Sequence, residues 1–419
     1  MSFVNAQERI AKGSPFFTLQ PKWGLCLNLA LTILVSGYAA NGYAETRTQN
    51  IYFAGVAYVG NVTDIQDRMP YTSAVVEEVG LVELNKRVLA SIQTLERDDI
   101  KVTTELGRST SGDAVAMALG LDFERLNPEY FPAVNQVCSS FTQVWAQILV
   151  FDLTDNKLLS AYPLKSSQNL KCLPDAQTLP TEVAKEWMKE ALMGTEGSIL
   201  AAFPHALETL PLNKGWRSNI QVRDIKLGKT VRARLETEGV DEGVYRRWLA
   251  STFSSQMSDS QSIPVLPYTL GQAVGGSMPL SFKNADAFQI ELPPATFVVD
   301  LTARGYAKKT LDESKRTVRN AYIFALGISF NHRLLGINFM DQNLQTFEAI
   351  TQNKSDSIDE WELFERVTIS LSDEFFKQFP KPDSKWLKQK IKGKSSAKDR
   401  KKAFEAVEES VFKKMRGEG

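Results

Sequence analysis

A β-hairpin that occurs twice constrains the fold of this chain more than any other feature. The first copy spans residues 141–164 and turns at Asp155-Asn156-Lys157, and the second spans residues 320–340 and turns at Asn331-His332-Arg333. Each hairpin ends a predicted three-stranded meander that has helices before and after it. The sequence therefore predicts two copies of one α/β unit.

Two short string matches support the duplication. Lys86-Arg-Val-Leu-Ala-Ser91, in a predicted helix over residues 72–94, matches Arg246-Arg-Trp-Leu-Ala-Ser251, in a predicted helix over residues 242–257. The alignment also places Lys157-Leu158-Leu159 on Arg333-Leu334-Leu335. A chance match stays open, because basic-then-apolar strings are common in helices. The order strand, helix, strand, meander, helix in both halves favours duplication.

The predicted elements divide the chain into two domains of α/β class, each an α+β sandwich. In each, we expect a mixed sheet with a three-stranded antiparallel meander, packed by two helices. The first domain spans residues 45–194 and the second spans residues 219–379. Residues 195–218 are predicted to be a linker with breakers at Pro204, Pro211 and Gly215, and residues 269–286 to be a Gly/Ser-rich loop.

The N-terminus has the pattern of a cleaved export signal. An apolar run over residues 25–35 follows Lys22, and small residues lead to Ala44, so residues 1–44 are predicted to be a signal peptide cleaved after Ala44. An inner-membrane anchor over residues 23–40 is the alternative, but a span needs about 20 apolar residues. No lipobox is recognisable. The expected location is a bacterial periplasm.

Cysteine usage fits that compartment. Cys26 lies in the apolar run and is expected to leave with the signal, so Cys138 and Cys172 remain. Two cysteines in an exported protein indicate one disulfide. The pair flanks the first hairpin, and closing a loop of this length stabilises the fold by roughly 3–4 kcal/mol.

Charge is distributed unevenly along the chain. Residues 380–419 carry 13 Lys and Arg against six Asp and Glu, although the formal net charge of the whole chain is zero. Residues 1–44 contribute +2, so the body, residues 45–379, has a net charge of −9. An acidic body argues against nucleic-acid binding, which needs basic residues clustered on the folded domain.

The basic C-terminal tail, residues 380–419, supplies the candidate surface-binding residues Lys385, Lys388, Lys390, Lys392 and Lys394. Residues 396–416 have a narrow apolar stripe at helical spacing, which predicts a partly helical tail that packs weakly on the body. Three interpretations stay open. The tail is solvated, or it makes weak contact with an anionic membrane surface such as phospholipid headgroups, or it docks on the acidic body.

No motif indicates catalysis, a metal or a cofactor. His205 and His332 lack partners at metal-ligand spacing, and no nucleophile elbow is present. Asp122 and Glu124 alternate onto one strand face, which is typical of solvated pairs. We therefore expect a non-enzymatic interaction or scaffold protein. The alternative is an exported hydrolase whose site is assembled from scattered carboxylates around the loop 269–286.

The segment Ala146-Gln-Ile-Leu-Val-Phe-Asp152-Leu-Thr-Asp-Asn-Lys-Leu-Leu-Ser-Ala-Tyr162 resembles a hairpin of a group of bacterial envelope proteins. The group includes the curli-secretion lipoprotein, the outer-membrane activator of a peptidoglycan synthase, and the amino-terminal domain of the Tol-Pal translocation protein. The resemblance implies a binding module whose partner is an envelope protein or cell-wall component, and it carries over no catalytic residues. Neither the identity of that partner nor the oligomeric state follows from the sequence.

Overall fold

The structure is a computed structural model. It describes residues 48–60, 64–93, 95–104, 114–132, 134–166, 170–212, 218–268, 277–281, 287–354 and 360–418. Residues Thr46–Gly419 form one compact unit. The predicted signal peptide lies outside the described residues. The fold is mixed α/β, as expected, and it contains two mixed sheets.

The first half contains six strands and five helices within the described residues. In chain order they are β1 Gln49–Val59, α1 Ile65–Arg68, α2 Pro70–Val79, α3 Leu81–Ile92, β2 Ile100–Thr103, β3 Val115–Phe131, β4 Gln136–Asp152, β5 Lys157–Lys165, β6 Lys171–Pro174, α4 Thr181–Met193 and α5 Ile199–Thr209.

The second half and the C-terminal segment contain the remaining elements. They are β7 Ile220–Leu227, α6 Lys229–Glu238, α7 Glu242–Gln261, β8 Val265–Leu266, β9 Ser277–Ser281, β10 Ala287–Glu291, β11 Phe297–Glu313, β12 Thr317–His332, β13 Ile337–Asn353, α8 Glu360–Phe376, α9 Ser384–Lys390, β14 Ile391–Lys392, α10 Ala397–Val407, a π-helical turn Glu408–Phe412 and α11 Lys413–Arg416.

The two sheets repeat one strand order. Sheet A contains the path β2-β1-β3-β4-β5 and sheet B contains the path β8-β7-β11-β12-β13. In each path the first two pairings are parallel and the last two are antiparallel. This topology is what a duplication predicts, but a common origin of the halves stays a prediction.

Gly80 changes one predicted helix into two. We expected a single helix over residues 72–94, whereas α2 ends and α3 begins at Gly80, whose φ is +81°. Backbone in this region is accessible to glycine at little cost, and it redirects the chain. The apolar face of α3, with Leu84 and Val88, packs in the same core as Val75 of α2.

A hairpin from the second half closes the sheet of the first half. β9 and β10 pair with each other, β10 pairs with β5, and β9 pairs with β1. The six strands β1-β3-β4-β5-β10-β9 therefore form a ring, and each contributes to one apolar cluster that also includes Leu266 and Val298 of sheet B. The prediction of a loop over residues 269–286 is wrong for 277–281.

Helix α7 lies between the two halves. It packs on α8, β7 and β8 of its own half and on β5 of the first half. Most of its length is buried, and its buried residues include the small side chains Ser251, Ser254 and Ser255. Phe123 of β3 and Trp145 of β4 join the core of the second half through this contact.

The predicted linker is also partly helical. Within residues 195–218, α5 runs through Pro204, and its side chains Ile199, Phe203 and Leu207 are fully buried in the first core. Ser198 caps this helix by accepting a hydrogen bond from the Ala201 N–H at 3.1 Å. Pro204 is the sixth of the eleven residues of α5, so its missing N–H removes an interior hydrogen bond of the helix, and the burial of these apolar side chains outweighs that cost.

Candidate functional site

The C-terminal segment packs tightly on sheet B. Its apolar side chains Leu387, Phe404 and Phe412 are fully buried in the second core. The ring of Phe404 lies 5.4 Å from that of Phe375, and the ring of Phe412 lies 5.9 Å from that of Phe330. The prediction of a weakly packed tail is wrong. The apolar stripe in the sequence is narrow, yet the second core covers more of the surface of these short helices than the stripe indicates.

Local hydrogen bonds explain why these helices form. Asp383 accepts a hydrogen bond from the Lys385 N–H at 2.7 Å and so caps α9, and Ser396 and Asp399 form a capping box at the start of α10. The buried Arg400 donates to the carbonyl oxygens of Leu387 and Gly393 at 3.2 and 3.0 Å. The segment is therefore ordered by its own polar groups as well as by its core.

The predicted lysines divide into two kinds. Lys390 is half-buried, lies 2.9 Å from the carboxylate of Glu374 and donates to the Thr346 hydroxyl at 2.6 Å, so it serves the fold. Lys385, Lys388, Lys392 and Lys394 are exposed. Three further lysines on α10 are exposed, namely Lys398, Lys401 and Lys402, of which Lys401 pairs with Glu405.

The acidic residues of this segment are used within it. Asp383 and Asp399 cap helices, Glu405 and Glu409 pair with Lys401 and Lys413, and Glu408 and Glu418 pair with Arg416. Over residues 380–418, which the structure describes throughout, no carboxylate oxygen is found within 4.0 Å of the ammonium groups of Lys385, Lys388, Lys392, Lys394, Lys398 and Lys402. These six exposed lysines form what we call the basic surface.

A second polar site lies in the seam between the halves and centres on Asp122. Its carboxylate accepts a hydrogen bond from Gln147 Nε2 at 3.0 Å, and Oδ1 lies 3.6 Å from Arg68 Nη1 and 3.5 Å from Arg247 Nη1. Arg68 is buried and also donates to the Val59 carbonyl oxygen at 2.6 Å. Burial lowers the pKa of the Arg68 guanidinium, and the nearby Asp122 opposes this. One carboxylate thus joins α1 and β4 of the first half to α7 of the second.

Glu124 has a structural role at the start of a helix. Its two carboxylate oxygens accept hydrogen bonds from the backbone N–H groups of Tyr71 and Thr72 at 2.9 and 2.6 Å, which caps α2. Burial raises the pKa of Glu124, and these hydrogen bonds limit the rise. A β-bulge between Leu121 and Phe123 breaks the strand alternation. The interpretation of Asp122 and Glu124 as a solvated pair is therefore wrong, because both are buried.

A further buried ion pair crosses the same seam. Arg125 of β3 pairs with Glu365 of α8, and both side chains are almost inaccessible. Beside them, the hydroxyl of Tyr306 is hydrogen-bonded to those of Tyr245 and Thr368 at 2.7 and 2.9 Å. Burial raises the pKa of Tyr245 well above its ordinary value. The Arg125–Glu365 pair joins β3 of the first half to α8 of the second, whereas the three hydroxyl groups lie within the second half.

A cavity of about 630 Å³ lies beside β2 at the end of α3. Of its titratable lining residues, Asp98 and Lys101 are exposed, and Arg97 makes hydrogen bonds of 2.8 and 2.6 Å to the carboxylate of Asp99. This lining does not present a pair of buried carboxyl groups. The hydrolase alternative places its site around the loop 269–286, of which residues 269–276 and 282–286 lie outside the described residues. Across the described ranges, no group of three or more His, Cys, Asp or Glu side chains is placed to hold a metal ion.

The remaining predicted site residues can be placed. Cys138 and Cys172 are disulfide-bonded, in agreement with the sequence, and they face each other across β4 and β6. His205 is exposed on α5 and lies 3.4 Å from Glu208. His332 lies at the hairpin turn, where its ring packs edge-on at 5.3 Å from that of Phe297. No helix in the described part of the chain is long and apolar enough to span a bilayer.

These features define the chain as a mixed α/β protein that carries an ordered basic surface. No family model and no curated protein matches the sequence.

Among solved structures, the chain is similar to a DUF330 family protein from Xanthomonas campestris (9% identity, TM-score 0.22, covering 38% of this chain and 81% of the other). It is also similar to a candidate neuraminyllactose-binding haemagglutinin homologue from Helicobacter pylori (13% identity, TM-score 0.22, covering 41% of this chain and 87% of the other). A third similar structure is a candidate lipoprotein from Caulobacter crescentus (9% identity, TM-score 0.16, covering 47% of this chain and 92% of the other). At such TM-scores the similarity supports no conclusion about fold or function.

Proposed function

We propose that this protein is an exported, non-enzymatic interaction protein of the bacterial cell envelope, and that its basic surface contacts an anionic membrane. The apolar run over residues 25–35 and the small residues before Ala44 support export. The observation that carries the proposal is the basic surface itself, whose six exposed lysines lie on the docked helices α9 and α10 and on β14 and the turn between them.

The physical basis is electrostatic. A lysine close to an anionic lipid surface contributes about 1 kcal/mol, and the attraction decays within a Debye length of about 8 Å at physiological salt. Lysines on an ordered segment hold their relative positions before contact, so binding loses less conformational entropy than it would with a flexible tail. The docked segment is thus better suited to this contact than a solvated tail would be.

The test removes charge without touching the core. A Lys385→Gln/Lys388→Gln/Lys394→Gln variant is compared with wild type by co-sedimentation with vesicles that contain phosphatidylglycerol. We expect affinity at low salt to fall at least tenfold, since three lysines contribute up to about 3 kcal/mol. We expect the difference to vanish at 0.5 M salt.

A matched control removes the same charge elsewhere. Lys86, Lys229 and Lys309 are exposed on α3, α6 and β11, away from the C-terminal segment. Their triple change to Gln is expected to leave vesicle affinity within twofold of wild type. If both triple variants bind as wild type does, or both weaken equally, the basic surface is not the contact site and the proposal fails.

A further inference from the structure

The turn between β12 and β13 exposes a compact apolar group. Leu334, Leu335 and Ile337 are 80%, 66% and 45% exposed, and they lie within four consecutive positions next to Arg333. Three large aliphatic side chains at one turn are costly to leave in water unless they meet a partner. We call Arg333, Leu334, Leu335 and Ile337 the leucine tip.

The equivalent turn in the first half provides an internal comparison. It joins the corresponding strands β4 and β5, and its exposed residues Thr154, Asp155 and Asn156 are polar. The strand registers pair Asp152 with Lys157 and His332 with Ile337, so Leu334 and Leu335 occupy the turn positions that Thr154 and Asp155 occupy in the first half. Because the same fold position supports a polar turn, the hairpin geometry alone does not require leucines at the tip.

Hydrogen bonds hold the leucine tip in place. The Arg333 N–H donates to the Thr296 carbonyl oxygen at 2.9 Å, and the Gly336 N–H donates to that of His332 at 2.9 Å. At the base, Asn338 Nδ2 donates to Asn331 Oδ1 at 2.7 Å. The leucines therefore project from a defined turn at the end of long strands, and they are not positioned to fold back on their own hairpin.

The charges near the leucine tip, and its position relative to the basic surface, indicate which kind of partner it binds. Residues 331–338 contain Arg333 and no Asp or Glu. Lys392 of the basic surface is paired with Asn343 on the neighbouring strand. Six residues of strand separate Asn343 from Ile337, which is roughly 20 Å at about 3.3 Å per residue. Arg333 is half-buried and its Nη1 is inaccessible, so the lysines supply the exposed positive charge. Exposed aliphatic side chains with lysines a short distance away match the layered chemistry of a bilayer surface, in which anionic headgroups cover acyl chains.

We infer that the leucine tip inserts into the headgroup–acyl boundary of an anionic phospholipid bilayer while the basic surface contacts the headgroups. This inference rests on the proposed function, which it deepens by giving the electrostatic contact an apolar anchor. A convex tip of aliphatic residues suits a deformable lipid surface. The anchor makes part of the membrane affinity resistant to salt, because apolar burial is not screened.

The experiment uses Leu334→Ser/Leu335→Ser and vesicles of phosphatidylglycerol and phosphatidylcholine. At 0.5 M salt, where the lysines are screened, wild type is expected to retain binding, and the variant is expected to bind at least about tenfold more weakly. The matched control is Val82→Ser/Leu170→Ser, which removes two aliphatic side chains of 66% and 60% exposure. The control is expected to bind within twofold of wild type.

A second readout reports insertion directly. A polarity-sensitive fluorophore on Leu335→Cys is expected to shift to the blue with vesicles, whereas one on Val82→Cys is not. If the serine variant binds as wild type does and the label at position 335 does not shift, the inference is overturned. In that case, a tenfold loss with the lysine variant leaves the proposed function standing. If wild type binds these vesicles neither at low salt nor at 0.5 M salt, the inference and the proposed function both fail.

Discussion

Replacing Asp122 by Asn tests whether the seam between the halves depends on one charge. The substitution keeps the shape of the side chain and removes the charge that faces Arg68, and both side chains are only 7% exposed. Removing one partner of a buried ion pair typically costs about 3–5 kcal/mol. Arg68 keeps its hydrogen bond to the Val59 carbonyl oxygen, and the pair is separated by 3.6 Å, so we expect the lower end, about 3 kcal/mol.

The measurement is the free energy of unfolding in urea, followed by tryptophan fluorescence. Glu348→Gln is the control, because its partner Arg366 forms an ion pair at 2.7 Å in which both side chains are 40–45% exposed. Exposed pairs contribute about 0–1 kcal/mol, so the control is expected to lose less than that. If Asp122→Asn costs no more than Glu348→Gln, the reasoning about the seam is refuted.

Three other outcomes are expected. Changing Cys138 and Cys172 to Ser should lower the free energy of unfolding by about 3–4 kcal/mol, and a reductant should then no longer destabilise the protein. Burial raises the pKa of Glu124 in the folded protein above its value in the unfolded chain. The stability that the protonated carboxyl group contributes is therefore fully present below the pKa of the unfolded chain, and it is lost as pH rises through the pKa of the folded protein. The stability difference between wild type and Glu124→Gln should therefore decrease from pH 4 to pH 7 in urea titrations, and an increase would contradict the raised pKa. Phe404→Ala should cost about 3–5 kcal/mol, measured the same way, and a loss below 1 kcal/mol would mean that the C-terminal helices do not belong to the core.

Much of the secondary structure was predictable, because strands and helices with one buried face leave a periodic signal. The two predicted hairpins, residues 141–164 and 320–340, contain paired strands, and the helix predicted over residues 242–257 is α7, which Asp241 caps by accepting from the Gly243 N–H at 2.8 Å. By contrast, β13 was expected to end near residue 340, yet it continues to Asn353. Its polar residues lie on the less buried face of sheet B, where polarity does not indicate a loop.

The seam and the basic surface were predictable only in part. A lone Asp122 in the apolar run over residues 114–123 was a signal of a buried polar site, but its partners Arg68 and Arg247 come from distant elements, and sequence spacing carries no information about them. The lysines of residues 385–394 were found from their density. Docking of the segment was only one of three interpretations, because the aromatic residues on which its narrow apolar stripe packs, Phe330 and Phe375, lie elsewhere in the sequence.

The closure of sheet A by β9 and β10 has a consequence for biogenesis. Synthesis from the N-terminus completes β1 and β5 long before residues 277–291, so both strand edges are unprotected during that interval. Unpaired edges are templates for association with other chains. We expect a fragment of residues 45–212 to self-associate in sedimentation velocity while residues 45–419 do not, and a monomeric fragment would argue against this order of events. Between the synthesis of β5 and the synthesis of β10, a chaperone that binds unfolded chains would therefore have these two unpaired strand edges to cover.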